Sequence, residues 1–117
     1  MKLLDIVVAY KTTEALAGNT EFTPAEQWII YKFRQAAKPH VEFYQEREQS
    51  LKDKYAEFAD EEGNLSKDKS NEYVSELNEF LKLDVDFSYT KEQLSIVKGV
   101  DFTIIERLDK FFEFIVQ

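Results

Sequence analysis

The chain has 117 residues, the length of a single domain that can bury a modest core. It contains no cysteine, which excludes disulfides and zinc–thiolate sites, and its N-terminal segment is too polar after Val8 for a signal peptide or a membrane span. The net charge of −8 argues against direct binding to a phosphate backbone. We therefore expect a protein of the cytoplasm that binds neither nucleic acid nor membranes.

The first predicted element is a helix over residues 3–17, which Gly18 would stop. The short apolar run over residues 3–8 would also suit a strand. Tyr10 and Leu16 continue the helical pattern beyond that run, and we therefore favour the helix.

A long second helix is predicted over residues 24–59. Its start carries strong signals, because Thr23 can cap the helix, Pro24 suits its first position, and Glu26 completes a capping box. Pro39 lies inside the helix and removes one backbone hydrogen bond, so we predict a kink there. At 1.5 Å per residue, the helix would be roughly 54 Å long.

One apolar stripe runs along this helix at the α-helical period of 3.6 residues. Its members are Ile29, Phe33, Ala36, His40, Tyr44, Arg47, Leu51, Tyr55 and Phe58. Trp28 and Tyr31 lie far around the helix from the stripe. We expect the first and last helices of the chain to bury the long helix on two faces, which would cover both of these residues.

A third helix is predicted over residues 67–82, with Ser66 as its cap. The turn before it is Asp60-Glu61-Glu62-Gly63-Asn64. The apolar face of the third helix consists of Tyr73, Val74, Leu77, Phe80 and Leu81, which repeat at helical spacing. This length matches the distal part of the second helix and predicts an antiparallel hairpin.

The C-terminal third mixes strand and helix signals. Alternating apolar residues predict a strand over 85–89, and its Val-Asp-Phe sequence recurs at 100–102, so the two stretches could pair as a short two-stranded β-ladder. Capping boxes that start at Thr90 and Thr103 predict a short helix to Val97 and a longer helix over residues 104–116.

Together these elements predict a mainly α fold: a helical bundle with one long kinked helix and a projecting antiparallel helical hairpin. We expect a single domain, 1–117, in two parts. Residues 1–39 and 87–117 form a body, and residues 40–86 form a hairpin arm.

The charge lies almost entirely on the arm. Residues 42–86 contain 14 acidic and 6 basic residues, whereas the rest of the chain contains 9 of each. We predict that the arm's carboxylates bind a protein partner with a basic surface. The candidate residues are Glu42, Glu46, Glu57, Asp60, Glu61, Glu62, Glu72, Glu76 and Glu79. The alternative is that this charge only keeps the protein soluble.

No catalytic, cofactor-binding or metal-binding residue is predicted. His40 is the only histidine and has no companion ligand, so we expect it to pack at the helix proline or to bond a freed carbonyl. The acidic turn fails as a calcium loop, because counting back from Gly63 places Phe58 at the first ligand position. Arg47 could bind Glu76, although a packed stem with an exposed guanidinium is the simpler interpretation.

The order of these features resembles a family of small phage and prophage proteins of unknown function. The residues that carry the resemblance are Val8, Tyr10, Glu42-Phe43-Tyr44, Arg47, Leu51, Lys54-Tyr55, the acidic Gly63-Asn64 turn, Glu76-Leu77, Phe80-Leu81 and Val85-Asp86-Phe87. The resemblance implies a phage origin and the cytoplasm of a bacterial host. It transfers no catalytic residue.

The function expected on these grounds is that of a non-enzymatic phage accessory protein that binds another protein. The concrete version is an acidic inhibitor of a host defence protein. The alternative is a structural or assembly protein of the phage, such as a tail-assembly helper. Self-association into a homo-oligomer is compatible with both.

Overall fold

The computed structural model of the protein describes residues 1–116; Gln117, the last residue of the predicted body, lies outside the described residues. The elements in chain order are α1 (Leu3–Thr13), α2 (Pro24–Ala56), α3 (Lys67–Leu81), β1 (Glu92–Ser95), α4 (Phe102–Leu108) and β2 (Phe112–Ile115). The predicted mainly α fold is confirmed.

The molecule is elongated because the hairpin arm projects from the rest. Its principal extents are 53 × 30 × 19 Å, and its radius of gyration is 17.3 Å. A compact domain of this length would have a radius of gyration of about 13 Å. The long axis matches the length expected for the second helix together with its turn.

Helix α1 forms as predicted but ends at Thr13, four residues before the expected end. The backbone N–H groups of Glu14, Ala15 and Leu16 each bond to the carbonyl three residues earlier, as in the bond from Leu16 N to Thr13 O. Side chains also bind the last carbonyls of the helix: the Thr13 hydroxyl donates to Tyr10 O at 2.7 Å, and Arg34 Nη1 donates to the same oxygen at 3.0 Å. These contacts end the helix before Gly18 is reached.

Helix α2 begins with the predicted capping box. The Glu26 backbone N–H donates to Thr23 Oγ1 at 3.2 Å, and the Thr23 backbone N–H donates to Glu26 Oε1 at 3.1 Å. The helix continues through Pro39 as one element and ends at Ala56, three residues before the predicted end. The capping box and Pro24 therefore predicted the first residue of α2 correctly.

The buried face of α2 differs from the predicted stripe in its first half. The predicted stripe contains Ile29, Ala36 and His40. In each case the buried residue is the next one along the chain, namely Ile30, Ala37 or Val41. The fully or nearly buried residues are Ile30, Phe33, Ala37, Val41, Tyr44, Leu51 and Tyr55. The prediction was wrong for Ala36 and Phe58, which are exposed. The direction from which α1 covers α2 decides which rows of α2 are buried.

The prediction that the terminal helices bury Trp28 and Tyr31 is wrong. They are 57% and 52% exposed, and their rings stack with centroids 5.4 Å apart. Helix α4 packs against α1 instead of covering this face of α2. The body therefore presents a solvent-exposed aromatic pair.

Phe33 lies at the centre of the core and is completely buried. The aromatic rings around it, at centroid distances of 5.0–6.3 Å, are those of Phe87, Tyr89, Phe111 and Phe112. Most of these arrangements are edge-to-face or tilted, the geometries that aromatic quadrupoles favour. The core thus joins the middle of α2 to the C-terminal third of the chain.

The helix predicted to Val97 is wrong, and the helix predicted over residues 104–116 is confirmed only as far as Leu108. Residues 92–95 form β1, and residues 112–115 form β2, which pair in parallel with Leu94 opposite Phe114. Helix α4 spans only seven residues and is capped by Asp101, whose side chain accepts from Ile104 N at 2.9 Å. The strand pairing joins segments 20 residues apart, and no local signal reports it.

The predicted ladder between residues 85–89 and 100–102 is also wrong. Val85, Phe87 and Tyr89 do alternate as predicted and pack partly buried against the core. Their neighbouring backbone pairs instead with the N-terminus: Leu3 N donates to Leu83 O, and Val85 N donates to Met1 O, both at 2.8 Å. The alternation was therefore predictive of burial but not of the strand partner.

Candidate docking surface

The hairpin arm is held together by contacts between α2 and α3. Lys54 Nζ lies 2.8 Å from Glu76 Oε1, and the rings of Tyr55 and Tyr73 meet edge to face at 5.7 Å. Residues near the end of α2 thus contact the middle of α3, and Phe43, earlier in α2, meets Phe80 near the end of α3, which is the predicted antiparallel arrangement. The Lys54 ammonium also holds the pKa of the Glu76 carboxyl below its ordinary value.

Three further candidate carboxylates also have partners within the described chain. Glu42 lies 3.9 Å from Lys38, and Glu72 lies 3.2 Å from Lys69. Asp60 shapes the turn, because its Oδ1 accepts from the backbone N–H groups of Glu62 and Asn64, both at 2.9 Å. Glu76 and Asp60 therefore have structural roles that the sequence did not reveal.

The other five candidates form no ion pair within residues 1–116. They are Glu46, Glu57, Glu61, Glu62 and Glu79, and all five are exposed. These carboxylates keep their full charge available to a partner.

The unpaired carboxylates do not all share one face. Glu46 and Glu57 each follow a buried tyrosine of α2 by two residues. Because two residues turn a helix through about 200°, both glutamates lie on the side of α2 opposite to its buried face. By the same reasoning, Glu79 points away from α2, because Leu77 packs against the core. Only at the tip do acidic residues from the end of α2 and from the turn come together. The tip carboxylates are Glu57, Asp60, Glu61 and Glu62.

Next to the tip carboxylates is a cavity of about 360 Å³, which we name the tip cavity. The residues that line it are Lys52, Tyr55, Ala56, Ala59, Gly63, Leu65 and Tyr73. Gly63, one of these residues, has a φ of +83°, the left-handed conformation that favours glycine in a turn. The sequence gives no sign of this cavity, because the small residues Ala56 and Ala59 belong to no recognisable pattern.

Lys52, the one basic residue in the lining, is paired. Its Nζ lies 3.6 Å from Glu48 Oε1. Glu48 also accepts a hydrogen bond from the Tyr44 hydroxyl at 3.1 Å, and burial together with this carboxylate raises the pKa of Tyr44 to about 12. The charge of Lys52 is therefore balanced locally, and it does not offset the tip carboxylates.

Helix α3 is only partly covered by α2. None of its residues is fully buried, and Val74 is 48% exposed. Phe43 and Phe58 on the facing helix are 42% and 43% exposed. The arm thus combines its charge with apolar surface that the described chain leaves uncovered, a combination typical of interaction surfaces.

His40 and Arg47, which the sequence also singled out, both pack against aromatic rings. His40 packs edge to face on Phe87 at 5.3 Å, as expected for a packing role. Arg47 lies near the ring of Phe43 at 5.9 Å and forms no ion pair with a described residue, so Glu76 binds Lys54 instead. Among residues 1–116 there is no cluster of three or more potential metal ligands.

None of the helices in the described range combines the length and apolar character needed to cross a bilayer. No protein-family model, no curated protein and no solved structure matches the chain. The fold and the surface of the arm are therefore the features that bear on its function.

Proposed function

We propose that this protein acts by binding another protein through its hairpin arm and not by catalysis. The observation that carries the proposal is the combination of charge and exposure on this projecting element. The arm has the whole formal charge of −8, five of its nine candidate carboxylates are unpaired within residues 1–116, and helix α3 is only partly covered. A basic surface would neutralise the charge, and its apolar side chains would cover what α3 leaves open.

The concrete form of this proposal is an acidic accessory protein of a phage that inhibits a host defence protein. A target that binds nucleic acid would present clustered lysine and arginine side chains. An acidic arm in the bacterial cytoplasm could compete for those side chains. The resemblance to small phage proteins supports this setting.

Reversing the five unpaired carboxylates tests the arm directly. Replacing Glu46, Glu57, Glu61, Glu62 and Glu79 with lysine changes the formal net charge from −8 to +2, because each substitution adds two charge units. We expect capture of basic proteins from bacterial lysate, with and without phage infection, to fall by at least about tenfold at low salt. Mass spectrometry with labelled reference peptides measures the captured amount.

A matched control makes the same charge change on the body. The exposed carboxylates Glu14, Glu21, Glu106, Asp109 and Glu113 form no ion pair within residues 1–116 and can be replaced with lysine together. Capture should survive in this control variant. Equal loss in both variants would mean that overall charge, and not the arm, attracts the bound proteins, and the proposal would then be wrong.

A structural or assembly role is the second candidate, and the exposed pair of Trp28 and Tyr31 favours it. These rings lie on the neutral body, where a second copy would meet no charge repulsion. If this role holds, sedimentation velocity should show association that increases with concentration, and the Trp28→Ala variant should shift the protein to the monomer. A wild-type protein that stays monomeric at all concentrations would rule out assembly through this pair.

A further inference from the structure

We propose that the tip cavity receives one large apolar or aromatic side chain from a basic segment of the partner protein. This inference rests on the proposed function of the arm and specifies the partner's chemistry. It joins two independent features of the tip: a mainly apolar cavity, and a rim on which the unpaired charges are negative. Lys52, Lys54 and Lys69 also lie near the tip, but each is paired with a glutamate.

The walls of the tip cavity determine the kind of group that can enter. Tyr55 and Tyr73 supply aromatic surface, and Ala56, Ala59 and Leu65 supply aliphatic surface. A polar group placed there would lose its hydration without gaining matched partners. The volume of 360 Å³ is at the lower end of the range for ligand sites, about 300–1,000 Å³, and suits a single side chain better than an extended molecule.

The rim of the tip cavity determines the charge of the residues that flank the entering side chain. Residues 55–66 contain the four tip carboxylates and no basic residue. Glu57, Glu61 and Glu62 are unpaired within residues 1–116, while the cation of Lys52 is balanced by Glu48. Lysine or arginine residues on either side of the anchoring side chain would therefore meet complementary charge.

The same charges argue against a second copy as the occupant. A second arm would bring four more tip carboxylates against the first four, and like charges at close range repel each other. An anionic small molecule or a nucleic acid would meet the same repulsion. The occupant that fits both the walls and the rim is a basic peptide segment with one large apolar side chain.

Synthetic peptides can test these two requirements separately. Three fluorescein-labelled nonapeptides serve as probes: tryptophan between two runs of four lysines, alanine between the same lysines, and tryptophan between two runs of four serines. We expect the lysine peptide with tryptophan to bind the wild-type protein about tenfold to hundredfold more tightly than the lysine peptide with alanine, because the indole becomes buried. Fluorescence anisotropy at low salt measures the three dissociation constants.

Filling the tip cavity should remove the advantage of tryptophan. Ala56 lines the cavity at the end of α2 and is itself exposed, so Ala56→Trp occupies the space without disturbing the core. Ala36→Trp is the matched control, because Ala36 is exposed on the same helix but does not line the cavity. The tryptophan advantage should vanish in the first variant and persist in the second.

The outcomes separate this inference from the proposed function. If wild-type protein binds both lysine peptides equally, the tip cavity has no docking role, while the charge-based function stands. If neither lysine peptide binds, the proposed function itself fails. If the serine peptide binds as tightly as the lysine peptide with tryptophan, the basic flanks are wrong.

Folding of the cavity variant is checked independently. Circular dichroism should show the wild-type helix signal in Ala56→Trp, and a folded variant that keeps the tryptophan advantage would overturn the inference. If the helix signal is lost, Ala59→Leu fills the same cavity from the turn and is measured in its place.

Discussion

Replacing Phe33 with alanine is expected to lower the free energy of unfolding by about 3–5 kcal/mol. Phe33 is completely buried and touches aromatic rings from the segment before β1 and from the chain around β2. The substitution removes these contacts and leaves a cavity that the surrounding rings can only partly fill. Since a domain of this kind is stable by about 5–15 kcal/mol, the loss would be a large part of the total.

Urea denaturation followed by circular dichroism measures this effect, and Phe43→Ala is the control. Phe43 belongs to the same helix but is 42% exposed on the arm, where its ring meets Phe80 at 6.3 Å. We expect a cost of about 1 kcal/mol or less for the control, because little apolar surface is lost there. Equal costs for the two variants would contradict a core centred on Phe33.

Replacing Glu26 with alanine is expected to cost about 2–4 kcal/mol, the second largest effect. One carboxylate oxygen completes the capping box at Thr23, and the other accepts from the buried Ser95 N–H at 2.7 Å. The Thr23 hydroxyl still caps the helix, but losing the capping-box hydrogen bond from the Thr23 N–H costs about 1 kcal/mol, and leaving the Ser95 N–H unpaired costs about 1–3 kcal/mol. Glu26 thus joins the start of α2 to the end of β1.

The effect of Glu26 should depend on pH. Partial burial raises the pKa of Glu26, but the hydrogen bonds from Ser95 and Thr23 outweigh it and bring the pKa below its ordinary value of 4.5. Because the folded state favours the carboxylate, the stabilisation is complete above the pKa of the unfolded chain and is lost as the pH falls through the folded pKa. The difference in unfolding free energy between wild type and Glu26→Ala should therefore shrink below about pH 4.

Glu26→Gln is the matched variant for this pH profile. Glutamine keeps an acceptor for the capping box but has no charge to titrate. Its stability should lie between those of wild type and Glu26→Ala at pH 7. Its difference from Glu26→Ala should not change between pH 7 and pH 4, and a change over this range would contradict the assigned role of the carboxylate.

The helical part of the fold was predictable because its signals are local. Thr23, Pro24 and Glu26 define the start of α2 within four residues, and Ser66 defines the start of α3 in the same way. Apolar residues at helical spacing then predicted each helix, and the matching lengths of the third helix and the distal part of the second predicted the hairpin. Each of these signals depends on residues less than two helical turns apart.

The C-terminal third was not predictable in this way. Apolar residues over 104–116 fit the helical period, but Phe112, Glu113 and Phe114 also alternate as strand residues do. Pairing with Glu92–Ser95 decides between the two periods, and those partners lie about 20 residues away in the chain. A local pattern cannot report a partner that distant.

The candidate site was predictable in its charge but not in its organisation. The sequence placed the nine carboxylates on the arm, yet it could not show that Glu76 binds Lys54 or that Asp60 shapes the turn. It also could not show the tip cavity, because a cavity is formed by the space between elements. That space depends on how α2 and α3 approach each other.

The sequence by itself determined the helical class, the start of each long helix and the location of the negative charge on residues 42–86. These properties follow from backbone capping, from periodicity and from the number of charged groups, all of which act locally or simply add up. Only the tertiary structure decided the parallel strand pair, the exposed Trp28 and Tyr31, and the tip cavity. Each of these depends on which distant surfaces meet, and that is settled by packing over the whole chain.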